Sequence, residues 1–286
     1  MSDLSSEEPS NSYTMSSDIR VRDIQVGGPH GPVPCRLYKS TTPGPNGLVW
    51  AHGGKFVGGD LDMPEAHWVA LSLASLGVTV LSVDYRKAVD GVHFPVPSDD
   101  LLAAWLWAST NLERVAGRAL HIHIGGASAG GTLAAGVTKR LRDGAGPTPT
   151  SVLLAYAVLH AVLPPASAEL CATLSARGDI SVFDTEIVRE IGEHYAGTAE
   201  HLADPYAFAG NGAVSGQPPT YVLNSQYDSL RASGEEYAQQ LLRGGVVVKL
   251  ETERGSQHGH LNEPSNELAQ RSIGRLYDWL TGQWGA

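Results

Sequence analysis

The sequence predicts an α/β fold in which a mostly parallel sheet is covered by helices on both faces. Short apolar runs, typical of buried strands, alternate with amphipathic segments of about a dozen residues along the chain. Strand, helix and strand in succession form the repeating unit of parallel sheets. The length of 286 residues and the hydrophobic content of 42% suit one large domain of this kind.

The strands are predicted from composition and from their glycine-rich ends. A first β segment runs from about Ile19 to Tyr38 and is broken by the sequence GGPHGPVP. The later strands are predicted in GLVWAHGG, VTVLSVDYR, LHIHIGG, SVLLAYAVL, TYVLNSQYD and VVVKLETE.

Helical spacing of apolar residues predicts the intervening helices, and it also marks one departure from the alternation. The helices are predicted in HWVALSLASLG, DDLLAAWLWASTNLERVAG, AGGTLAAGVTKRLRD, SGEEYAQQLLRGG and NELAQRSIGRLYDWLTG. Between about residues 160 and 210, AELCATLSARG and DTEIVREIGEHYAG are both helical, with no strand between them. This pair predicts a helical lid over the strand ends. Residues 1–18 are rich in Ser, Glu and Asp and predict a mobile arm, which leaves residues 19–286 as the domain.

Composition excludes several classes of partner. The net charge is −10, and the absence of a basic cluster argues against nucleic acid and anionic membranes. The longest apolar run, around Val152 to Leu163, is too short to span a bilayer, and the N-terminus lacks the apolar core of a secretory signal. Only Cys35 and Cys171 are present, which carries no disulfide framework. We therefore expect a cytoplasmic protein.

One serine is flanked by small residues where a predicted strand meets a predicted helix. Ser128 lies in Gly126-Ala127-Ser128-Ala129-Gly130, the pattern G-x-S-x-G. A sharp turn from strand to helix brings backbones close together, and glycine two residues before and after the serine removes the collisions. Such a turn presents the hydroxyl at the edge of the sheet and at the start of a helix. The context favours a nucleophile over an incidental serine in a glycine-rich turn.

A serine nucleophile needs a base and an acid that orients the base. Asp228 follows one predicted strand and His258 follows the next, so both lie at carboxyl ends of strands, as Ser128 does. These ends share one edge of a parallel sheet, where the three residues converge. Asp228 alternatively caps the next helix, although Ser229 could serve there. Periodicity alone does not decide between His258 and His260 as the base.

A second pair of histidines, His121 and His123, stands on the strand that leads to the serine. Two such pairs raise the alternative of a metal site. No third carboxylate or cysteine ligand is suggested nearby, so the sequence favours a reaction without metal.

Six motifs in order resemble one known family. They are HGGKFVGG, VDYRKA followed by FPVPSDDLLAAWLW, GASAGG, ADPYAF, YDSLRASGEEYAQQL and HGHL. From about Leu48 onward the chain resembles the hormone-sensitive-lipase-like branch of the α/β-hydrolase fold, which contains bacterial carboxylesterases and lipases. The resemblance implies that Ser128 is the nucleophile, Asp228 the acid and His258 the base. His258 is favoured over His260 because glycine follows the family's histidine.

The resemblance also implies an oxyanion hole made of backbone amides. The candidates are the glycine amides Gly53 and Gly54, residue Lys55, and Ala129 after the nucleophile. Two positions depart from the family. Lys55 stands where a third glycine is usual, and Ala127 stands where an aspartate usually precedes the nucleophile. Lys55 either points to solvent or pairs with an acid of the lid, or it binds a polar or anionic group of the substrate.

The function predicted from these observations is that of a serine esterase. It cleaves carboxylic esters of small to medium acyl chains through an acyl-enzyme intermediate, with a small-molecule ester as partner and no metal or organic cofactor. Amide, carbamate or lactone hydrolysis, or acyl transfer, are alternatives on the same residues. A non-catalytic ligand receptor is a further alternative, against which the retention of all three residues counts. The sequence allows a homodimer.

Overall fold

A computed structural model describes residues 18–178 and 184–282. The strands are β1 (Ile19–Gly28), β2 (Gly31–Ser40), β3 (Asn46–Ala51), β4 (Thr79–Val83), β5 (His121–Ala127), β6 (Val152–Ala155), β7 (Thr220–Tyr227) and β8 (Val248–Gln257). The helices are α1 (Pro64–Ser75), α2 (Val96–Ala116), α3 (Ala129–Arg140), α4 (Ala168–Arg177), α5 (Thr185–Ala196), α6 (Ala199–Ala203), α7 (Arg231–Arg243) and α8 (Glu267–Thr281).

The strands form one sheet in the order β1-β2-β4-β3-β5-β6-β7-β8. Pairing is parallel from β4 to β8 and antiparallel where β2 meets β1 and β4. The prediction of a mostly parallel sheet is confirmed. The broken first β segment is a hairpin, whose turn lies between Gly28 and Gly31. The carboxyl ends of the parallel strands share one edge of the sheet, and this edge carries the site described below.

Helices cover both faces of the sheet, as predicted. One core cluster joins α1 and α8 to the sheet, and the other joins α2, α3 and α7 to the opposite face. Strand β3 shows how the two faces divide. Leu48 and Trp50 belong to the first cluster, while Val49 and Ala51 belong to the second. Every residue of β3 is buried, because a strand covered on both faces exposes neither set of side chains.

Strand β6 is shorter than the apolar run SVLLAYAVL predicts. It ends at Ala155, and Tyr156 has a φ of 38°, a left-handed conformation that a strand does not contain. Val158 and Leu159 remain buried in the core beyond that turn. An apolar run therefore continues as a buried loop, which composition alone does not distinguish from a strand.

The segment between β6 and β7 is helical, as predicted, in its described residues. Helices α4, α5 and α6 lie there, and the Asp184 carboxylate caps α5 by accepting the Ile187 amide at 2.8 Å. Part of the predicted lid, residues 179–183, lies outside the described residues, as do residues 1–17 of the predicted arm and the last four residues. Among the helices that the structure describes, none has the length and apolarity to cross a membrane.

Candidate active site

Ser128 occupies a strained turn between β5 and α3. Its φ of 51° and ψ of −121° lie outside the common regions for a residue with a side chain. A Cβ on Gly126 would lie 2.4 Å from the backbone of Gly130, and one on Gly130 would lie 2.1 Å from the carbonyl oxygen of Ala51. Both positions therefore require glycine, for the steric reason that the G-x-S-x-G spacing suggests.

The structure brings the three residues predicted for catalysis into one chain of hydrogen bonds. Ser128 Oγ lies 3.0 Å from His258 Nε2, and His258 Nδ1 lies 2.7 Å from Asp228 Oδ2. The Asp228 side chain is 1% exposed and that of His258 is 16% exposed. The other carboxylate oxygen, Asp228 Oδ1, accepts the Leu230 amide at 3.0 Å. Asp228 thus orders its own loop and contacts the histidine.

The charges around His258 set its basicity. Burial disfavours the charged imidazole, but the carboxylate of Asp228, with a further contribution from Glu65, raises the pKa of His258 above its usual value. The ammonium of Lys55 acts in the opposite direction. A histidine with a raised pKa accepts a proton more readily than a free imidazole does.

His260 has a different environment and is not in the chain of hydrogen bonds. It is 2% exposed, and its two ring nitrogens lie 3.0 Å from Ser225 Oγ and 2.8 Å from Ser272 Oγ. Burial lowers the pKa of His260 to about 4, so the ring is neutral near pH 7. His260 therefore joins β7 to α8, and the adjacent His258 is the histidine that faces Ser128.

The histidines on β5 are not grouped with metal ligands. His123 is buried and lies 2.7 Å from Ser151 Oγ and 3.4 Å from Asn46 Oδ1. Burial lowers the pKa of His123 to about 3. Within residues 18–178 and 184–282, no three His, Cys, Asp or Glu side chains are arranged to hold a metal ion.

The loop after β3, residues 52–57, passes directly beside Ser128. It contains three of the predicted oxyanion donors and is therefore called the oxyanion loop below. Gly54, Lys55 and Phe56 have consecutive positive φ values of 118°, 55° and 65°. Gly54 has no room for a side chain, since a Cβ would lie 2.2 Å from the Gly58 carbonyl oxygen. Lys55 is exposed and adopts a conformation that usually favours glycine.

The carbonyl groups of the oxyanion loop are held from behind. Tyr85 Oη donates to the carbonyl oxygens of His52 and Gly53, at 2.9 and 3.2 Å, and the Val57 amide donates to the Gly54 carbonyl at 3.0 Å. These bonds fix the planes of the peptides in the loop. They therefore also fix the directions of its amides.

One predicted oxyanion donor is contradicted by its contact. The Gly53 amide donates to the carboxylate of Glu65, on α1, so it is not available to a substrate oxygen. Gly54, Lys55 and Ala129 remain as candidate donors. Sequence reasoning did not identify Glu65, because a glutamate in the first turn of a helix is ordinarily explained by the helix dipole. Its buried partners lie in loops remote in sequence.

Two cavities that share lining residues lie near the serine turn, and Ser128 lines the inner one. The inner one has a volume of about 20 Å³ and an apolar lining. Its lining residues are Lys55, Phe56, Ser128, Ala129, Val158, Val188, Ile191 and Leu230. The outer one has a volume of about 390 Å³ and shares Lys55 and Ile191 with the inner one. Helix α5 supplies Val188 and Ile191, so part of the insertion between β6 and β7 lines the cavity at the serine.

Comparisons with known proteins identify the fold family of the chain. Residues 48–262 match a family model described as the alpha/beta hydrolase fold. Esterase LipI of Mycobacterium tuberculosis is 30% identical over 252 residues, which cover 85% of this chain and 76% of LipI. Carboxylic ester hydrolase LipN of the same species is 32% identical over 257 residues, but this chain spans only 65% of its length. An esterase structure from Pyrobaculum calidifontis superposes with a TM-score of 0.79 at 28% identity, covering 91% of this chain and 85% of that one.

Proposed function

Because this chain belongs to the hormone-sensitive-lipase-like branch of the α/β-hydrolase family and is a carboxylesterase-type serine hydrolase, we propose that Ser128, His258 and Asp228 form its catalytic triad. The observation that carries this proposal is the unbroken path of hydrogen bonds from Ser128 Oγ through the imidazole to Asp228. The substrate is a small-molecule carboxylic ester.

In the first half of the reaction, His258 Nε2 takes the proton from Ser128 Oγ as the oxygen attacks the ester carbonyl. Asp228 holds the ring and stabilises the imidazolium that forms. The tetrahedral intermediate then expels the alcohol, which receives that proton from His258. In the second half, water loses a proton to His258 and attacks the acyl-enzyme. The acid leaves and the proton returns to Ser128 Oγ.

The amides of Gly54, Lys55 and Ala129 are the proposed donors to the oxyanion. Ala129 is the first residue of α3, where an amide lacks an acceptor within the helix. The helix dipole adds a favourable potential for negative charge at that end. The strained φ of Lys55 supports its amide as a donor, since the turn rotates the peptide plane. Each such donor is worth about 3–4 kcal/mol in the transition state.

The inner cavity supports a preference for short acyl chains within the small-to-medium range. The acyl group remains on Ser128 Oγ after the alcohol leaves, so it suits the cavity that Ser128 itself lines. A volume of about 20 Å³ leaves little room beyond a short acyl chain. The wider outer cavity offers the alcohol a way out. We assign the segment of about residues 160–210 the role of a lid that limits this space.

The same proposal includes a cytoplasmic location and, as an assembly that the sequence allows, a homodimer. The location is supported by the two cysteines, of which Cys35 is buried and Cys171 exposed without a disulfide between them.

A panel of nitrophenyl esters tests the proposal. The acetate, butyrate, octanoate and palmitate are compared with a nitroanilide and a lactone, each with the wild-type protein and with Ser128→Ala. We expect the acetate and butyrate to give the highest kcat/KM and the octanoate a value at least about tenfold lower, because a chain that does not fit loses more than one methylene contact. A faster reaction with the anilide or the lactone than with every ester would reject the ester assignment.

A further inference from the structure

A buried carboxylate stands behind the oxyanion loop and is not part of the proposed triad. Glu65, in the first turn of α1, is 1% exposed. It accepts hydrogen bonds from the Gly53 amide, from Tyr156 Oη at 2.6 Å and from Asn262 Nδ2 at 3.1 Å. A buried carboxylate is costly unless donors surround it, and these three supply that compensation.

The three donors come from three different loops at the carboxyl edge of the sheet. Gly53 follows β3, Tyr156 follows β6, and Asn262 lies four residues beyond His258, after β8. Asn262 also accepts the Glu65 backbone amide, at 3.2 Å through its side-chain oxygen. The Glu65 side chain therefore joins the oxyanion loop to the segment after β6 and to the segment that follows His258.

The contact with Gly53 controls where the oxyanion loop lies relative to the nucleophile. A Cβ built on Gly53 would lie 2.4 Å from Glu65 Oε2 and 3.0 Å from Ser128 Cβ. Gly53 is thus confined between the carboxylate and the serine. The Gly53 amide is bound by Glu65 and its carbonyl by Tyr85 Oη, so both polar groups of Gly53 are fixed immediately before Gly54 and Lys55.

The contact with Tyr156 reaches the base. The Tyr156 ring packs edge-on against His258, with centroids 5.1 Å apart and an angle of 67° between the planes. Burial, followed by the nearby charge of Glu65, raises the pKa of Tyr156 well above its usual value, so the phenol remains the donor. The bond to Glu65 therefore fixes a ring that contacts the imidazole.

We propose that Glu65 is a positioning residue for ester hydrolysis, whose carboxylate sets the direction of the oxyanion-loop amides and holds Tyr156 against His258. This inference rests on the proposed triad. Glu65 acts through Gly53 and Tyr156, without touching the ester. It also supplies a carboxylate beside the serine turn, where Ala127 has none.

The test variant is Glu65→Gln, and the matched control is Glu253→Gln. Glu253 is 0% exposed and pairs with Arg271 at 2.5 Å and Arg275 at 3.1 Å, both on α8. The two variants make the same chemical change at a buried carboxylate, but only one carboxylate contacts the oxyanion loop. Thermal unfolding measures how much stability each variant loses.

For Glu65→Gln we expect kcat for nitrophenyl acetate to fall about 100-fold, comparable to the loss of one oxyanion donor, while KM changes less than about threefold. Affinity for a trifluoromethyl ketone, which forms the tetrahedral adduct, falls by a similar factor. Glu253→Gln keeps kcat and that affinity within about twofold of wild type.

The pH profile of kcat/KM distinguishes a positioning role of Glu65 from a purely structural one. Burial and Lys55 lower the pKa of His258, whereas Asp228 and Glu65 raise it. The Tyr156 ring that packs against His258, and His260 two residues along the chain, are neutral near pH 7. Removing the charge of Glu65 therefore lowers the pKa of His258. The acid limb of kcat/KM should move to lower pH in Glu65→Gln and stay in place in Glu253→Gln.

If Glu65→Gln does not fold, Tyr156→Phe keeps the ring and removes only the donor, and a fall in kcat of at least about fivefold without a change in KM is then expected. The inference would be overturned if Glu65→Gln and Glu253→Gln had the same kcat, the same affinity for the trifluoromethyl ketone and the same acid limb of kcat/KM. An unchanged kcat in Tyr156→Phe would overturn it as well. A wild-type protein that neither hydrolyses the acetate nor reacts with a fluorophosphonate at Ser128 would instead overturn the proposed triad.

Discussion

The serine turn and the oxyanion loop lie side by side but are specified in different ways. At the serine turn, each glycine is explained by a clash with backbone that is local or directly adjacent, and the pattern of residues states the geometry. In the oxyanion loop, three consecutive left-handed residues include a lysine and a phenylalanine, and the partner of Gly53 comes from α1. A sequence motif therefore predicts steric constraints between neighbouring backbone segments. It does not predict a side-chain partner that comes from another helix or strand.

The largest expected effect lies at the serine turn. Ser128→Ala removes the proposed nucleophile without adding bulk. We expect kcat for nitrophenyl acetate to fall at least about a thousandfold, because triad members act as a unit. The melting temperature should stay near that of wild type. A fluorophosphonate should label Ser128 alone in the wild-type protein, as peptide mass analysis can establish. Residual activity above that limit would mean that another group attacks the ester.

His258 and His260 lie two residues apart, so variants of the two compare a proposed catalytic histidine with a structural one. His258→Ala should lower kcat as much as Ser128→Ala, because both break the same chain of hydrogen bonds. His260→Ala should lower kcat less than about tenfold but reduce the free energy of unfolding by about 1–3 kcal/mol, since Ser225 and Ser272 lose a buried partner. Steady-state kinetics and denaturant unfolding of both variants show which histidine is the base and which stabilises the fold. Equal kinetic losses, or the reverse order, would contradict the assignment of the base.

Adding a single methyl group tests whether the serine turn is defined by sterics. Gly126→Ala would place its Cβ 2.4 Å from backbone, and we expect a loss of about 3 kcal/mol or more in the free energy of unfolding. The control is Gly274→Ala on the exposed side of α8, where no atom lies within 4 Å. That variant should gain about 0.5–1 kcal/mol from helix propensity. Similar stability of the two variants would remove the steric argument.

The smallest effect on stability is expected at Lys55. Replacement by glycine relieves the strain of the left-handed conformation, but it also gives the unfolded chain more backbone freedom, and the two effects largely cancel. Lys55→Gly should change the free energy of unfolding by less than about 1 kcal/mol. Small neutral esters should react at nearly the wild-type rate. If the ammonium binds a polar substrate group, KM for esters with a nearby carboxylate should rise about 10-fold or more, the loss of one charge-assisted bond.

Lys55→Gln separates the charge from the backbone at this position. Lys55 lowers the pKa of His258, so either variant should move the acid limb of kcat/KM to higher pH, where the imidazole must still be neutral to act as base. The rise in KM should likewise appear in both. An equal change for neutral and anionic esters would reject substrate recognition by Lys55 and leave it as a surface residue of the loop.

The features that the sequence predicted are those set by local patterns, and the features that it missed depend on contacts between distant segments. The mostly parallel sheet and its covering helices were predictable because buried strands and amphipathic helices carry distinct periodicities. Ser128, Asp228 and His258 could be placed at one edge because parallel strands end together. The end of β6 was not predictable, since the run through Tyr156 is equally apolar as strand and as buried loop. Glu65 was missed because its three donors are dispersed along the chain.

The bond between Glu65 and Asn262 spans 197 positions of the chain, and that between Ser128 and His258 spans 130. A polypeptide emerges from the ribosome from its N-terminus, so β5, the serine and α3 are available long before the histidine is made. Long-range pairings of this kind also form late in refolding. Synthesis thus separates in time the parts that the finished molecule holds within hydrogen-bonding distance. If the proposed triad is correct, a nascent chain carries its serine without a base until the segment through His258 has been released.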